Sequence, residues 1–234
     1  MRRLSIVVAG QAVSGLLVVP DRPKACVVLA HGAGAGMTHP FMAAVADGLA
    51  ARSIATLRYQ FPYMERGSRR PDPPTLAQAA VRAAVATAHK ELPGLVLFAG
   101  GKSFGGRMTS QAQAASPLDD VRGLVFLGFP LHPAGKPSVE RAQHLSDIRI
   151  PMLFLQGTRD ALAEPKLLLQ QVIAPLGQRA TLRLFADADH SFHVPARSGR
   201  TDVQVRTEIF DVLANWISDC LLTSPVPPAG VPYG

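Results

Sequence analysis

Cysteine is scarce in this chain: two residues, Cys26 and Cys220, among 234. Neither belongs to a Cys-x-x-Cys pair or a Cys/His ligand cluster, which excludes a disulfide framework and a structural zinc site. Long apolar runs are missing as well. None reaches about 18 residues, so no membrane-spanning helix is expected. Met1-Arg2-Arg3 leads into only a few apolar residues before Gly10-Gln11, short of a secretory signal with its cleavage site. Charge is sparse at 18% but unbalanced, with 24 Lys and Arg against 17 Asp and Glu, a net +7. Such a balance raises the case for nucleic acid or acidic partners. Yet no run of five basic residues and no aromatic–basic interleaving occurs, and the excess reads as a solvated basic surface. The expectation is a cytoplasmic protein with free thiols and no nucleic-acid or membrane partner.

What the chain does have is apolar patterning. At 47% hydrophobic residues it is far from the composition of a disordered protein. A chain of this length buries roughly 70% of its unfolded surface without staples. Eight strand-like runs stand out: Leu4–Ala9, Val13–Val19, Ala25–Ala30, Ile54–Tyr59, Leu95–Ala99, Gly123–Gly128, Met152–Gln156 and Thr181–Phe185. The first two are split by Gly10-Gln11-Ala12, as in a hairpin. The later ones are nearly continuous hydrophobics, as in parallel strands covered on both faces. Helical patterns fill the gaps at Phe41–Arg52, Thr75–Glu91, Phe104–Ala115, Glu164–Ile173 and Asp202–Leu222. Thr75 and Gln78 are spaced as a capping box after Pro73-Pro74. No internal repeat is present. Strand and helix in alternation predict a mostly parallel, doubly wound α/β sheet forming one domain over 1–223, followed by a flexible Pro/Gly-rich tail over 224–234.

In such sheets the reactive site lies beyond the carboxyl ends of the strands. After the fifth strand stands Gly101-Lys102-Ser103-Phe104-Gly105, a G-x-S-x-G string. A string this short arises by chance in roughly one chain in ten of this length, so its context decides. A strand ends just before it and a helix begins just after, the setting of a nucleophile elbow. The phosphate-binding strings G-x-x-x-x-G-K-[ST] and G-x-G-x-x-G are absent. Ser103 is the candidate nucleophile, and a serine hydroxyl needs a base. After the eighth strand His190 is the candidate, with His193 its rival. The base needs an acid to hold its tautomer. Asp160, after the seventh strand, falls in that place, ahead of Glu164 and Asp187. Backbone N–H groups to hold an oxyanion are expected from Phe104 and, in the loop His31–Gly36, from Ala33 with Gly34 as alternative. His31 is expected to order that loop. No metal ligand set is suitably spaced around it, and no cofactor is expected.

The segments His31-Gly32-Ala33-Gly34, GKSFGG at 101–106, GTRD at 157–160 and Asp189-His190 resemble the α/β-hydrolase superfamily, from about Leu4 to Leu222. The elbow GGKSFGGRM and the segment RYQFPYMERG at 58–67 resemble a dienelactone-hydrolase-like branch of bacterial hydrolases, which also includes some eukaryotic chromatin-complex subunits. The resemblance implies an α/β-hydrolase fold with a Ser–Asp–His triad and says little of the substrate; with no room for a cap, small soluble esters or thioesters are expected. Amide cleavage and a non-catalytic scaffold remain as alternatives. Dienelactone hydrolases typically carry a cysteine nucleophile, and Ser103 points away from their reaction. Lids of this superfamily usually follow the sixth strand, and the about 22 residues of Phe129–Ile150 leave no room for a sizeable cap. Gly34 and Tyr63 are expected to contact substrate. Arg66, Arg69 and Arg70, set against Glu65 and Asp72, are read first as a solvated loop bordering the pocket and, as the alternative, as a rim that attracts an anionic acyl group. Lys102, next to the nucleophile, has no assigned role; pairing with an acidic residue beneath the elbow and an electrostatic bias on the site are the alternatives.

Overall fold

The computed structural model describes residues 1–223; the expected tail, 224–234, lies outside the described residues. Eight strands form one sheet: β1 (Arg2–Val8), β2 (Gln11–Val18), β3 (Ala25–Ala30), β4 (Ile54–Tyr59), β5 (Leu97–Lys102), β6 (Val121–Leu127), β7 (Met152–Gly157) and β8 (Ala180–Phe185). The helices are α1 (Pro40–Ala50), α2 (Pro62–Glu65), α3 (Pro74–Glu91), α4 (Phe104–Ala115), α5 (Pro165–Leu168), α6 (Ala174–Leu176) and α7 (Asp202–Thr223). The strand order is β1-β2-β4-β3-β5-β6-β7-β8. β2 runs antiparallel to both β1 and β4, and every pairing from β4 to β8 is parallel. A two-residue turn joins β1 to β2, with Ala9 and Gly10 both at positive φ, as the right-handed strand twist favours.

The sheet carries an apolar layer on each face. On one side α1 and α7 cover residues such as Val27, Leu29, Phe98, Leu153 and Leu155. On the other, α3, α4 and the segments 140–147 and 165–176 cover Val28, Leu57, Phe126 and Phe154. Both layers are needed because β3, β4 and β7 are buried along their whole length. Phe126, Phe129 and Phe154 pack edge-on or tilted, with centroids 4.7–5.8 Å apart. The chain leaves β3 for β4 on one side and returns to β5 on the other. The order therefore reverses between β3 and β5, and the crevice at that reversal is where open α/β sheets bind ligands. Between β6 and β7 stands only a 3₁₀ segment, Glu140–Asp147, against α4. Among the described residues there is no cap domain, and no helix is long and apolar enough to cross a membrane.

Two local expectations fail. The capping box at Thr75 does not form: α3 begins at Pro74, its N-cap is Pro73, and no side chain caps it. Proline at the first helical position is already set at the helical φ and has no N–H to satisfy, so the start needs no Thr75 hydroxyl. The helix expected over Glu164–Ile173 is interrupted by a π turn at Leu169–Ile173, where the Ala174 N–H bonds to the Leu169 carbonyl. The wider turn accommodates Pro175, which has no N–H to offer and whose ring crowds the carbonyl four residues back.

Phe154 is fully buried at the centre of its aromatic cluster. Phe154→Ala is expected to lower unfolding free energy by about 3–5 kcal/mol. Urea titration should show a lower midpoint at an unchanged slope.

Candidate active site

β5 ends at Lys102, α4 begins at Phe104, and Ser103 makes the whole turn between them at φ 50°, ψ −115°. A non-glycine residue held at positive φ stores about 1–3 kcal/mol of strain. The neighbourhood enforces it. A Cβ on Gly101 would lie 2.3 Å from the Ala30 carbonyl oxygen, and one on Gly105 would lie 2.5 Å from that of His31. Only hydrogen at these two positions lets β3, β5 and the first turn of α4 approach so closely. The Ser103 N–H donates to the Leu127 carbonyl at 3.2 Å, and its own carbonyl accepts from Arg107 at 3.1 Å. The side chain is left pointing over the sheet end.

Asp160 follows β7 in a tight turn and is buried. Its Oδ1 accepts the Leu162 N–H at 2.8 Å, and its Oδ2 accepts the Gln156 side-chain amide. Gln156 Oε1 accepts the Phe129 N–H at 2.8 Å, fixing the amide's orientation from the end of β6. The same Oδ2 meets His190 Nδ1 at 2.7 Å, and His190 Nε2 meets Ser103 Oγ at 2.8 Å. A carboxylate opposite Nδ1 selects the tautomer with hydrogen on that nitrogen, leaving the Nε2 lone pair toward the serine hydroxyl. Ser103, Asp160 and His190, three residues chosen from three loops, thus meet in one line. The rivals do not join them. His193 is exposed and pairs with Asp202 at 2.9 Å, while Glu164 and Asp187 are exposed.

The loop after β3 hangs from residues after β4. Buried His31 donates from Nδ1 to the Gly32 carbonyl at 2.8 Å and accepts the Phe61 N–H at Nε2, 3.1 Å away. Burial pushes its pKa down to about 4, so the neutral ring serves as both donor and acceptor. Gln60 accepts the Met37 N–H at 2.9 Å. Among the described residues the N–H groups of Ala33, Gly34 and Phe104 have no hydrogen-bond acceptor.

Tyr63 does not contact the cavity. It is fully buried beneath the loop, and its hydroxyl donates to the Ala33 carbonyl at 2.8 Å. Burial, with the Asp72 charge, pushes that phenol up to about 12 and keeps it a donor. Nor do the arginines form a rim. Arg66 is held by Asp72 at 2.8 Å and Gln11 at 2.9 Å, and neither Arg69 nor Arg70 lines the cavity. The cavity beside Ser103 holds about 390 Å³. Its walls are the 32–35 loop, with Gly34 among them, and Phe41, Met42, Leu162, His39, Lys102 and Ser191. Sequence reasoning missed Gln156. Its signal was a single polar residue at the end of an otherwise apolar strand.

The pH dependence of stability follows from His31. Its folded pKa lies below the ordinary 6.5, so between pH 6.5 and 4 the unfolded chain binds a proton that the folded chain refuses. Stability is full above about 6.5 and falls as pH drops toward 4, by roughly 3 kcal/mol from this residue. Urea titrations at a series of pH values should show that slope, and His31→Gln should reduce it.

The chain matches the alpha/beta hydrolase domain family over residues 23–218. Its structure is similar to that of a dienelactone hydrolase from Anabaena variabilis, with TM-score 0.76, 20% identity, and 93% of this chain and 96% of that one covered. It is similar to a serine hydrolase without a lid from Xanthomonas campestris, with TM-score 0.73, 20% identity and coverage of 92% and 94%. It is also similar to Est1E from Butyrivibrio proteoclasticus with ferulic acid bound, with TM-score 0.73, 13% identity and coverage of 94% and 100%. At these identities the likeness establishes a shared fold. With a family match across most of its length and the fold to go with it, this chain belongs to the alpha/beta hydrolases.

Proposed function

We propose that the protein is a serine hydrolase of small carboxylic esters or thioesters. The observation that carries this reading is the line of contacts from Asp160 through His190 to Ser103, at 2.7 and 2.8 Å, with Ser103 on a strained turn facing an open cavity. Ser103 Oγ attacks the acyl carbon as His190 Nε2 takes its proton. Asp160 holds the imidazole and offsets the positive charge it gains. The carbonyl oxygen becomes an oxyanion, and the free N–H groups of Phe104 and Ala33 receive it, with Gly34 the alternative to Ala33. The C–O or C–S bond breaks, and His190 returns the proton to the departing alcohol or thiol. Water then enters and attacks the acyl carbon as His190 takes its proton; the bond from that carbon to Ser103 Oγ breaks, His190 returns the proton to Oγ, and the acid leaves. Side chains, main chain and water suffice for these steps.

The cavity supports small substrates. It is lined mostly by apolar atoms, no carboxylate faces it, and no cap domain covers it among the described residues. The ferulic acid in the Butyrivibrio protein accords with an acyl group of modest size.

Labelling with a fluorophosphonate, read by intact mass and peptide mapping, tests the nucleophile. One adduct per chain on Ser103 is expected, and none on Ser103→Ala. Hydrolysis of p-nitrophenyl butyrate should fall by about 10⁴-fold or more in Ser103→Ala and by about 10⁴-fold in Asp160→Asn. A folded wild type that takes no label would contradict the reading.

A further inference from the structure

Lys102 closes β5 and directly precedes Ser103, and its half-buried side chain turns toward the loop that carries His190. The ammonium Nζ donates to the main-chain carbonyl of His190 and lies 5.5 Å from the centroid of the Phe192 ring. Both partners belong to the loop that carries His190. Nζ and the imidazole also flank the end of β6: a Cβ on Gly128 would lie 2.9 Å from Nζ and 3.4 Å from His190 Nδ1. Among the described residues Lys102 has no ion pair. Holding a half-buried ammonium against a carbonyl and a ring, with Asp160 and Asp189 near but no carboxylate within ion-pair distance, is a cost to the fold rather than a gain.

The rest of that loop is held elsewhere. Asp189 Oδ1 accepts the N–H groups of Ser191 and His193, and Asp202 accepts that of Val194. Among the described residues only Lys102 donates to the carbonyl of His190 itself. We propose that Lys102 is a positioning residue for the base. Its hydrogen bond ties the backbone of His190 to the residue next to Ser103, and so sets the Nε2–Oγ separation by one side chain. The inference rests on the reading of Ser103 and His190 as nucleophile and base.

Charge state gives the device a signature. The titratable groups facing Nζ are Asp160, Asp189 and His190, with His39 on the shared cavity wall; β3's loop and the end of β6 present Gly32 and Gly128. Burial pushes the ammonium down from 10.5 to about 8, against the pull of the two carboxylates. Above about pH 8 the bond loses its charge assistance, and the tie weakens. Stability runs the other way. Between pH 8 and 10.5 the unfolded chain holds a proton that the folded chain has lost, so stability contributed by Lys102 rises with pH. A lysine serving only the fold would not lose activity while gaining stability.

The test compares wild type, Lys102→Met and Lys102→Gln. It follows p-nitrophenyl butyrate turnover from pH 6 to 10, urea unfolding, and deuterium exchange of the 186–193 peptide. In Lys102→Met, kcat at pH 7 should fall about tenfold to hundredfold at nearly constant KM, with faster exchange over 186–193. Wild-type kcat should decline above about pH 8, a limb absent from Lys102→Met. Lys102→Gln, a neutral donor, should keep part of the protection and lack the limb. Wild-type kcat or unchanged exchange in folded Lys102→Met overturns the proposal; if that variant does not fold, an alkaline limb that persists in Lys102→Gln does so. A wild type without label or turnover would sink the hydrolase reading instead, and the exchange measurement still decides whether Lys102 holds the loop.

Discussion

The backbone of Ser103 is the constraint on which the site depends. A strand must become a helix within one residue, at positive φ, while the main chains of β3 and β5 press against it. The strain of about 1–3 kcal/mol is small beside the two apolar layers that fix those strands. With β3 and β5 buried between helices, the turn has nowhere to relax. The outcome is a hydroxyl lifted off the sheet at the point where the strand order reverses, with the first free N–H of α4 directly behind it.

Around that fixed point the neighbouring loops are held by buried polar groups. His31 ties the loop after β3 to Phe61, and Tyr63 props it from below. Gln156 steadies Asp160 from within β7 and reaches across to β6. His132, also buried, accepts the Glu164 N–H and joins the segments after β6 and β7. Their donors and acceptors are matched, which limits the cost of burying them.

Much of this was legible in the chain itself. The limits of β3 and β4 match residue for residue, because short apolar runs there are bracketed by turn residues. Ser103, Asp160 and His190 were found by chain position, since a parallel sheet brings every strand's carboxyl end to one edge. What escaped were facts about direction. Tyr63 lies close to the site in sequence terms but points into the core, and Arg66 is engaged by Asp72, which residue type alone does not reveal. Gln156 is oriented by the backbone N–H of distant Phe129, and Lys102 bonds the backbone carbonyl of distant His190. Such partners have no spacing signature, because the fold rather than the local sequence brings them together.

The central claim is that Ser103 is held, strained, between the base and the free N–H groups of two loops. A crystal structure of the fluorophosphonate-treated enzyme tests it most directly. The account predicts phosphorus bonded to Ser103 Oγ, with Ser103 still at positive φ. The phosphoryl oxygen should then lie about 3 Å from the N–H of Phe104 and from that of Ala33 or Gly34. An oxygen turned toward solvent, or a Ser103 relaxed to negative φ, would contradict it.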